Sequence, residues 1–548
     1  MQRNEGEVEI NVPLLLEQES SSLPVTYLQP KPVNDYSNQN QNEEDGLGKR
    51  VWIESRKLWH IAGPAMFSRV TSYTTVIISQ VFAGRLGELQ LASFSIAYTV
   101  FIGISFGILL GMASALETLC GQAYGAKKYQ LMGIYMQRLW IVLFLTAVVI
   151  LPIYIYTTPI LKLIGQPDDL SEQTGLVTFW LIPTHFALPF YFGLQRFLQS
   201  QLKMAVTAWA SFACLVFHVF VTWFFVYRLD FGIVGIAVTL NLSWWVLTLG
   251  LLGYVIFGGC PNTWTGLSTQ AFSGLWEFFK LSAASGVMLC LETWYYRILV
   301  LMTAKLNNAK IAVDALSVCM SINTWEFKIP LSFFTATGVR VSNELGAGNG
   351  KGAKFASIVS ATTSLVIGLL FCSAIMIFHE KIATVFTSSD AVLKAVDNLV
   401  VLLGMTVLLN SIQPVLSGVA VGSGWQASVA YINIGSYYIV GLPLGVVLGL
   451  VFHLGISGIW SGMIAGTAVQ TLILIVLTIR CDWDMQVRIE HKKHSILFIF
   501  HIYRLSVTCL FHIWFLKAEE ASSNMEKLAN KYPDLLHMAS SASLDTPL

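Results

Sequence analysis

The chain has 548 residues, 55% of them in the AVILMFWYC set and only 12% charged, where a soluble domain carries roughly 25% charge. Lys+Arg number 33 and Asp+Glu 32, for a net charge of +1, which excludes the basic surplus of a nucleic-acid binder. With a mean hydropathy of +0.63 this is neither a disordered chain nor a soluble multidomain enzyme; it reads as a chain dissolved mostly in a lipid bilayer.

Residues 1–50 carry no basic n-region followed by an apolar run, so they do not read as a signal peptide. They are polar and acidic and predict a disordered cytosolic tail, in which Leu14-Leu15-Leu16 is either a sorting signal or a local sticky patch. A spanning helix needs about 20 mostly apolar residues. Six such stretches fall at 57–83, 90–115, 131–156, 173–195, 204–227 and 232–257. Six more fall at 277–304, 314–342, 355–379, 391–420, 427–452 and 455–479. Lys49, Arg50, Arg56 and Lys57 precede the first span and Arg85 follows it, which predicts a cytosolic N-terminus and, after twelve spans, a cytosolic C-terminus. The predicted domains are a tail (1–50), an N-lobe (51–257), an inter-lobe loop (258–276), a C-lobe (277–480) and a C-tail (481–548). No two of the eight cysteines form a CxxC pair, so neither a disulfide framework nor a zinc site is expected.

The two halves echo each other. Gly232-Ile233-Val234-Gly235-Ile236 opens the sixth span and Gly455-Ile456-Ser457-Gly458-Ile459 the twelfth, 223 residues later. Leu119 and Lys128-Tyr129 match Leu345 and Lys354-Phe355 at an offset of 226. The reading is a duplicated six-helix unit with a pseudo-two-fold along the membrane normal and a cavity between the copies.

Charges inside spans are costly and mark candidate sites. Glu292 lies mid-way along the seventh span. Desolvation disfavours its anion, so it can take a proton from one face and release it to the other. The rival reading is a permanent pair with Arg297 or another helix's cation. Tyr296, one turn on, shares its face. Asn410 and Gln413 in the tenth span, Asn241 in the sixth, Glu326 in the eighth and Trp294 beside Glu292 complete the cavity candidates. Glu117 reads as a helix-end or interfacial charge, and His185 and His218 as satisfied core histidines. Trp244 and Tyr295 could stack on a flat substrate, although core packing suits them better. Pro64, Pro183 and Pro330 interrupt spans, as kinks or as bends around a central site. No Walker A, HExxH or GxSxG element is present, which argues against an enzyme and against ATP-driven transport within this chain.

The stretch Glu117-Thr118-Leu119-Cys120-Gly121-Gln122-Ala123-Tyr124-Gly125-Ala126 resembles a hallmark of plant multidrug and toxic compound extrusion (MATE) transporters, also called the DETOXIFICATION family. Gly63-Pro64-Ala65, the run from Gly338 to Asn349 containing Arg340-Val341-Ser342-Asn343-Glu344, and Ser417-Gly418-Val419-Ala420 with Gly424-Trp425-Gln426 resemble the family too. The likeness runs from residue 51 to about 485. It implies an all-α membrane protein whose twelve transmembrane helices form two six-helix lobes in a V. It also implies cation-coupled antiport of small organic compounds. A seventh-span glutamate used for proton coupling in related plant members falls on Glu292. Many members carry a tenth-span aspartate where this chain has Asn410, and another branch uses a first-span aspartate, absent from residues 57–83. Lys328 stands where an apolar residue is expected.

Residues 487–517 depart from the family, with His491-Lys492-Lys493-His494 and an apolar run at 496–516. These 31 residues, 93 nucleotides in frame, read as a retained intron, because Val-Arg-Ile can be encoded by a splice-donor-like GTAAGAAT. A thirteenth span or an interfacial helix are the rivals. The functional expectation is a monomeric proton-driven antiporter expelling xenobiotics or secondary metabolites from the cytosol across the vacuolar or plasma membrane. Its only coupling ion is the proton, and it needs no cofactor. A lipid or other solute flippase of related architecture is the alternative.

Overall fold

The structure, a computed structural model, describes residues 46–303 and 309–491. The expected tail up to residue 45 and most of the 487–517 insert lie outside these. Every regular element among the described residues is helical. They are α1 (Leu47–Leu86), α2 (Glu88–Gly125), α3 (Tyr129–Ile155), α4 (Thr157–Leu163), α5 (Asp168–Trp180), α6 (Ile182–Ser200), α7 (Met204–Arg228) and α8 (Gly232–Gly259). Then follow α9 (Leu275–Thr303), α10 (Ala309–Gly346), α11 (Gly350–Ala383), α12 (Asp390–Asp397), α13 (Val400–Gly422), α14 (Gln426–Val451), α15 (Gly455–Arg480) and α16 (Trp483–His491). Eight of these are long and apolar enough to cross a membrane, or nine if the bent pair α5 and α6 counts as one span. The predicted tail boundary at residue 50 is too late: α1 already begins at Leu47 and puts Glu54 inside the first helix.

Helix interiors follow the apolar runs, and the breaks follow chemistry. Pro183 lacks the N–H that would continue α5 into α6, and the two meet at 45°. Asn241 of α8 closes this bend. Its Oδ1 accepts from the Thr184 N–H at 2.9 Å and from the Thr184 hydroxyl, and its Nδ2 donates to the Trp180 carbonyl at 2.6 Å. Asn241 is therefore a structural clamp and not a cavity residue; polar type and depth in a span do not distinguish the two roles.

The duplication is written in the backbone. Left-handed residues end α2 at Lys127, α6 at Leu202 and α7 at Asp230, and they end α10 at Gly348, α13 at Gly424 and α14 at His453. The offsets are 221, 222 and 223. Gly232 and Gly455, both left-handed, start α8 and α15 at an offset of 223. Each of the first two pairs closes the same hydrogen-bonded helix stop. Lys128 N–H reaches Ala123 O at 2.8 Å as Asn349 N–H reaches Glu344 O at 2.8 Å, and Lys203 to Leu198 (2.9 Å) matches Trp425 to Ala420 (2.8 Å). The sequence offset of 226 around Lys128 and Lys354 is thus five residues too long. Lys-aromatic pairs matched by eye slid one helical turn past the true register.

The cores separate accordingly. One cluster draws on residues from Ala83 to Phe278 and another on residues from Tyr295 to Met463. A third joins Leu58, Ile61 and Ala65 of α1 to Phe333, Ala336 and Val415. Segment 260–274 joins the halves but is bonded to the first. Gln137 of α3 donates to Gly266 O at 3.0 Å and accepts from Ser268 N at 2.9 Å, and Arg138 donates to Gln270 O at 3.1 Å. Apolar side chains such as Leu145, Val149, Trp209, Val216 and Phe220 point outward along α3 and α7, as expected of a lipid-facing surface.

Candidate functional site

The family-like segments meet at one end of the molecule, where α1 begins. Thr118 of α2 donates to Val421 O at 2.5 Å, and Gln426 donates to Thr118 Oγ1 at 2.7 Å. Arg340 of α10 pairs with Glu54 of α1 at 2.7 Å and with Glu344. The backbones touch here: a Cβ on Gly125 would overlap Asn343 O, and one on Gly346 would overlap the Gln122 backbone. Glycine is needed at both places because the helices approach closer than any side chain permits. The seam between the halves is sealed at this end.

Above the seal lies a small cavity lined by both halves. Arg69 (α1), Leu110 (α2) and Arg196 (α6) form one wall; Leu289 and Glu292 (α9), Phe327, Leu331 and Phe334 (α10) and Pro414 and Ser417 (α13) form the other. Glu292 is half-buried and forms no ion pair among the described residues. Gln413 lies near its carboxylate. The Gln413 Nε2 donates to Ser417 Oγ at 3.1 Å, while its Oε1 has no donor. Two groups of α14 hold this stretch of α9 in place: Asn433 donates to Met288 O at 3.0 Å and Tyr438 to Leu291 O at 2.9 Å.

One turn along α9, Tyr296 lines a second, smaller pocket inside the C-terminal half, with Thr406, Asn410, Trp460 and Thr467. Its hydroxyl donates to Asn410 Oδ1 at 3.2 Å, and Asn410 Nδ2 donates to Asn323 Oδ1 at 3.1 Å. Glu326, one turn beyond Asn323 on α10, is 3% exposed with neither oxygen hydrogen-bonded. Of the sequence candidates, Glu292 therefore lines the inter-half cavity, with Gln413 behind its lining residues Pro414 and Ser417, and Tyr296 and Asn410 meet at the inner pocket. Glu326 lies buried beside that chain of amides. Trp294 is 51% exposed on the outer face of α9 and touches neither cavity.

Glu117 corrects the interfacial reading. It is fully buried and paired with Arg196 at 2.7 Å, with Gln199 also bonded to that guanidinium at 3.0 Å. The two histidines sit in the core as expected: His218 bonds Ser243 at 2.8 Å and Ser79 at 3.0 Å, and His185 bonds Ala147 O at 2.9 Å. Trp244 packs edge-on against Tyr191, and Tyr295 stacks on Tyr437 with its hydroxyl on Met463 O, so both are core. Sequence reasoning missed Arg69 altogether and counted Arg196 as a surface charge. Arg69 sits twelve residues into the first predicted span, and any intramembrane cation is a signal. Lys328 now has a partner: its Nζ stands 4.8 Å over the Tyr73 ring.

The sequence model of the MatE family matches residues 64–224 and 284–447. The chain belongs to the MATE family of transporters. Among its relatives, Protein DETOXIFICATION 27 of Arabidopsis thaliana is 62% identical over 447 residues, 81% of this chain and 92% of that protein. Protein DETOXIFICATION 26 of the same plant is 59% identical over 452 residues, 82% of this chain and 92% of that protein. The crystal structure of the eukaryotic MATE transporter AtDTX14 superposes with a TM-score of 0.75 at 34% identity, covering 80% of this chain and 98% of that one. The Vibrio cholerae MATE transporter VcmN in its bent form shares the fold at a TM-score of 0.71 and 17% identity, over 81% of this chain and 99% of that one. This MATE chain is thus a multi-pass membrane transporter, and not an enzyme.

Proposed function

We propose that this MATE protein is a monomeric proton-coupled antiporter that exports organic compounds by alternating access, with Glu292 as the coupling carboxyl. The observation that carries this is Glu292 on the wall of the inter-half cavity, without an ion pair among the described residues. A carboxyl held by a fixed cation would stay ionised; one beside an amide can change state. Gln413, near the carboxylate, has an unbonded Oε1 and an Nε2 bonded to the Ser417 hydroxyl, which can donate or accept, so the amide can turn to serve either form of Glu292. Protonated Glu292 and bound substrate then favour opposite halves of the cycle.

Twelve spans follow if α5 and α6 count as one and α1, α9 and α10 also cross the bilayer. The repeated left-handed helix stops support two six-helix lobes about a pseudo-two-fold. With the basic residues before the first span on the cytosolic side, the seal at the start of α1 faces the cytosol and the cavity opens away from it. The vacuolar or plasma membrane is the proposed location.

The test is uptake into proteoliposomes under an imposed pH gradient. Glu292→Gln is expected to reconstitute normally and melt as the parent does, yet lose gradient-driven transport. Full gradient-driven transport by that variant would refute the assignment.

A further inference from the structure

Three cations stand among the facing helices, and they are balanced unequally. Arg196 is neutralised by Glu117 at 2.7 Å. Arg69 donates from Nη2 to Thr335 Oγ1 at 2.8 Å and makes no ion pair among the described residues. Lys328 has the Tyr73 ring at 4.8 Å and no carboxylate partner among the described residues. Arg69 and Tyr73 are one turn apart on α1, and Lys328 and Thr335 are two turns apart on α10. The two contacts therefore stack along one seam, with both cations on facing helices. Glu326 is no counter-ion for Lys328: two residues away on the same helix, it leaves from another face and stays unbonded. Glu292, on α9, is the only carboxylate among the cavity's described lining residues, and Glu117, near enough to act on Arg69, is already paired with Arg196.

A cation taken from water into a low-dielectric site loses several kcal/mol of solvation, which a hydroxyl or a ring recovers only in part. An anion restores it. Tyr73 and Trp325 meet edge-on at 5.4 Å beside Lys328, and Phe327 lines the cavity, so flat apolar surface adjoins the charge.

We infer that Arg69 on the wall of the transport cavity and Lys328 beside it form an anion-binding seat, and that this transporter accepts planar aromatic acids, with the carboxylate between guanidinium and ammonium and the ring against Tyr73 and Phe327. The inference rests on the reading of the inter-half cavity as the transport route, but not on proton coupling.

The experiment is equilibrium binding to the purified full chain in nanodiscs, at one pH and without a gradient, using 2-naphthoate, its uncharged amide and 2-naphthylmethylammonium. The expected result is a preference for naphthoate of about tenfold or more over both others. Lys328→Gln removes that preference, Lys328→Arg keeps it, and the amide's affinity is the same for all three proteins. Thermal melting of each sample shows whether a variant is folded, and Arg69→Gln provides a second route to the same loss. Equal affinity for the three probes, preference for the ammonium, or an unchanged naphthoate affinity in folded Lys328→Gln overturns the seat. A naphthoate preference that survives alongside gradient-driven transport by Glu292→Gln sinks the coupling scheme and leaves the anion seat standing.

Discussion

Two sets of carboxyl groups within the helices live under different rules. In the N-terminal half Glu117 is completely buried, yet it is locked to Arg196, and Glu54 of α1 is locked to Arg340 of α10. In the C-terminal half Glu292 and Glu326 have no cation among the described residues, and Glu326 has no hydrogen bond at all. The first set ties helices together through ion pairs. The second can gain or lose a proton without dismantling a contact, which is the property a coupling site requires.

The sharpest way to break this contrast is to remove a partner from the locked set. Arg196→Met leaves Glu117 buried and unpaired, and is expected to lower stability by about 3–5 kcal/mol. Thermal unfolding in detergent measures it; a variant that melts with the parent would show the pair to be dispensable. Next comes the seal. Gly346→Val sets a side chain into the Gln122 backbone and should disfavour the closed seam by more than about 1.4 kcal/mol, slowing transport roughly tenfold or more. Labelling of a cysteine placed at Thr118 should rise in that variant, and unchanged labelling would mean the halves part elsewhere. Asn241→Ala tests the clamp at the α5–α6 bend, where lost amide bonds should cost about 1–3 kcal/mol in unfolding while the pH profile of transport keeps its shape. The smallest effect belongs to Trp294→Ala on the outer face of α9: within about 0.5 kcal/mol in melting, and parental transport. A transport loss there would return Trp294 to the site.

Helix by helix, much was legible in advance. Apolar runs placed α2, α3, α7, α8, α11, α13, α14 and α15, because a chain in lipid must satisfy its backbone within each segment. Glu292 was legible for the same reason: an acid between two apolar runs has few bland explanations. The repeat was legible at Gly232 and Gly455, where a left-handed backbone demands glycine, and misread at Lys128 and Lys354, where no backbone constraint holds the residue type. Glu117 and Asn241 could not be sorted. An ion pair 79 residues apart and an amide bonded 57 residues away leave no local pattern.

Composition and periodicity alone determined that this chain is a helical membrane protein of duplicated design, since water and lipid act on each segment independently of its neighbours. Which charges are neutralised, which amides clamp a bend and which face a cavity was decided only when the helices met, because a buried charge takes its meaning from the group across the gap, and that group comes from a distant part of the chain.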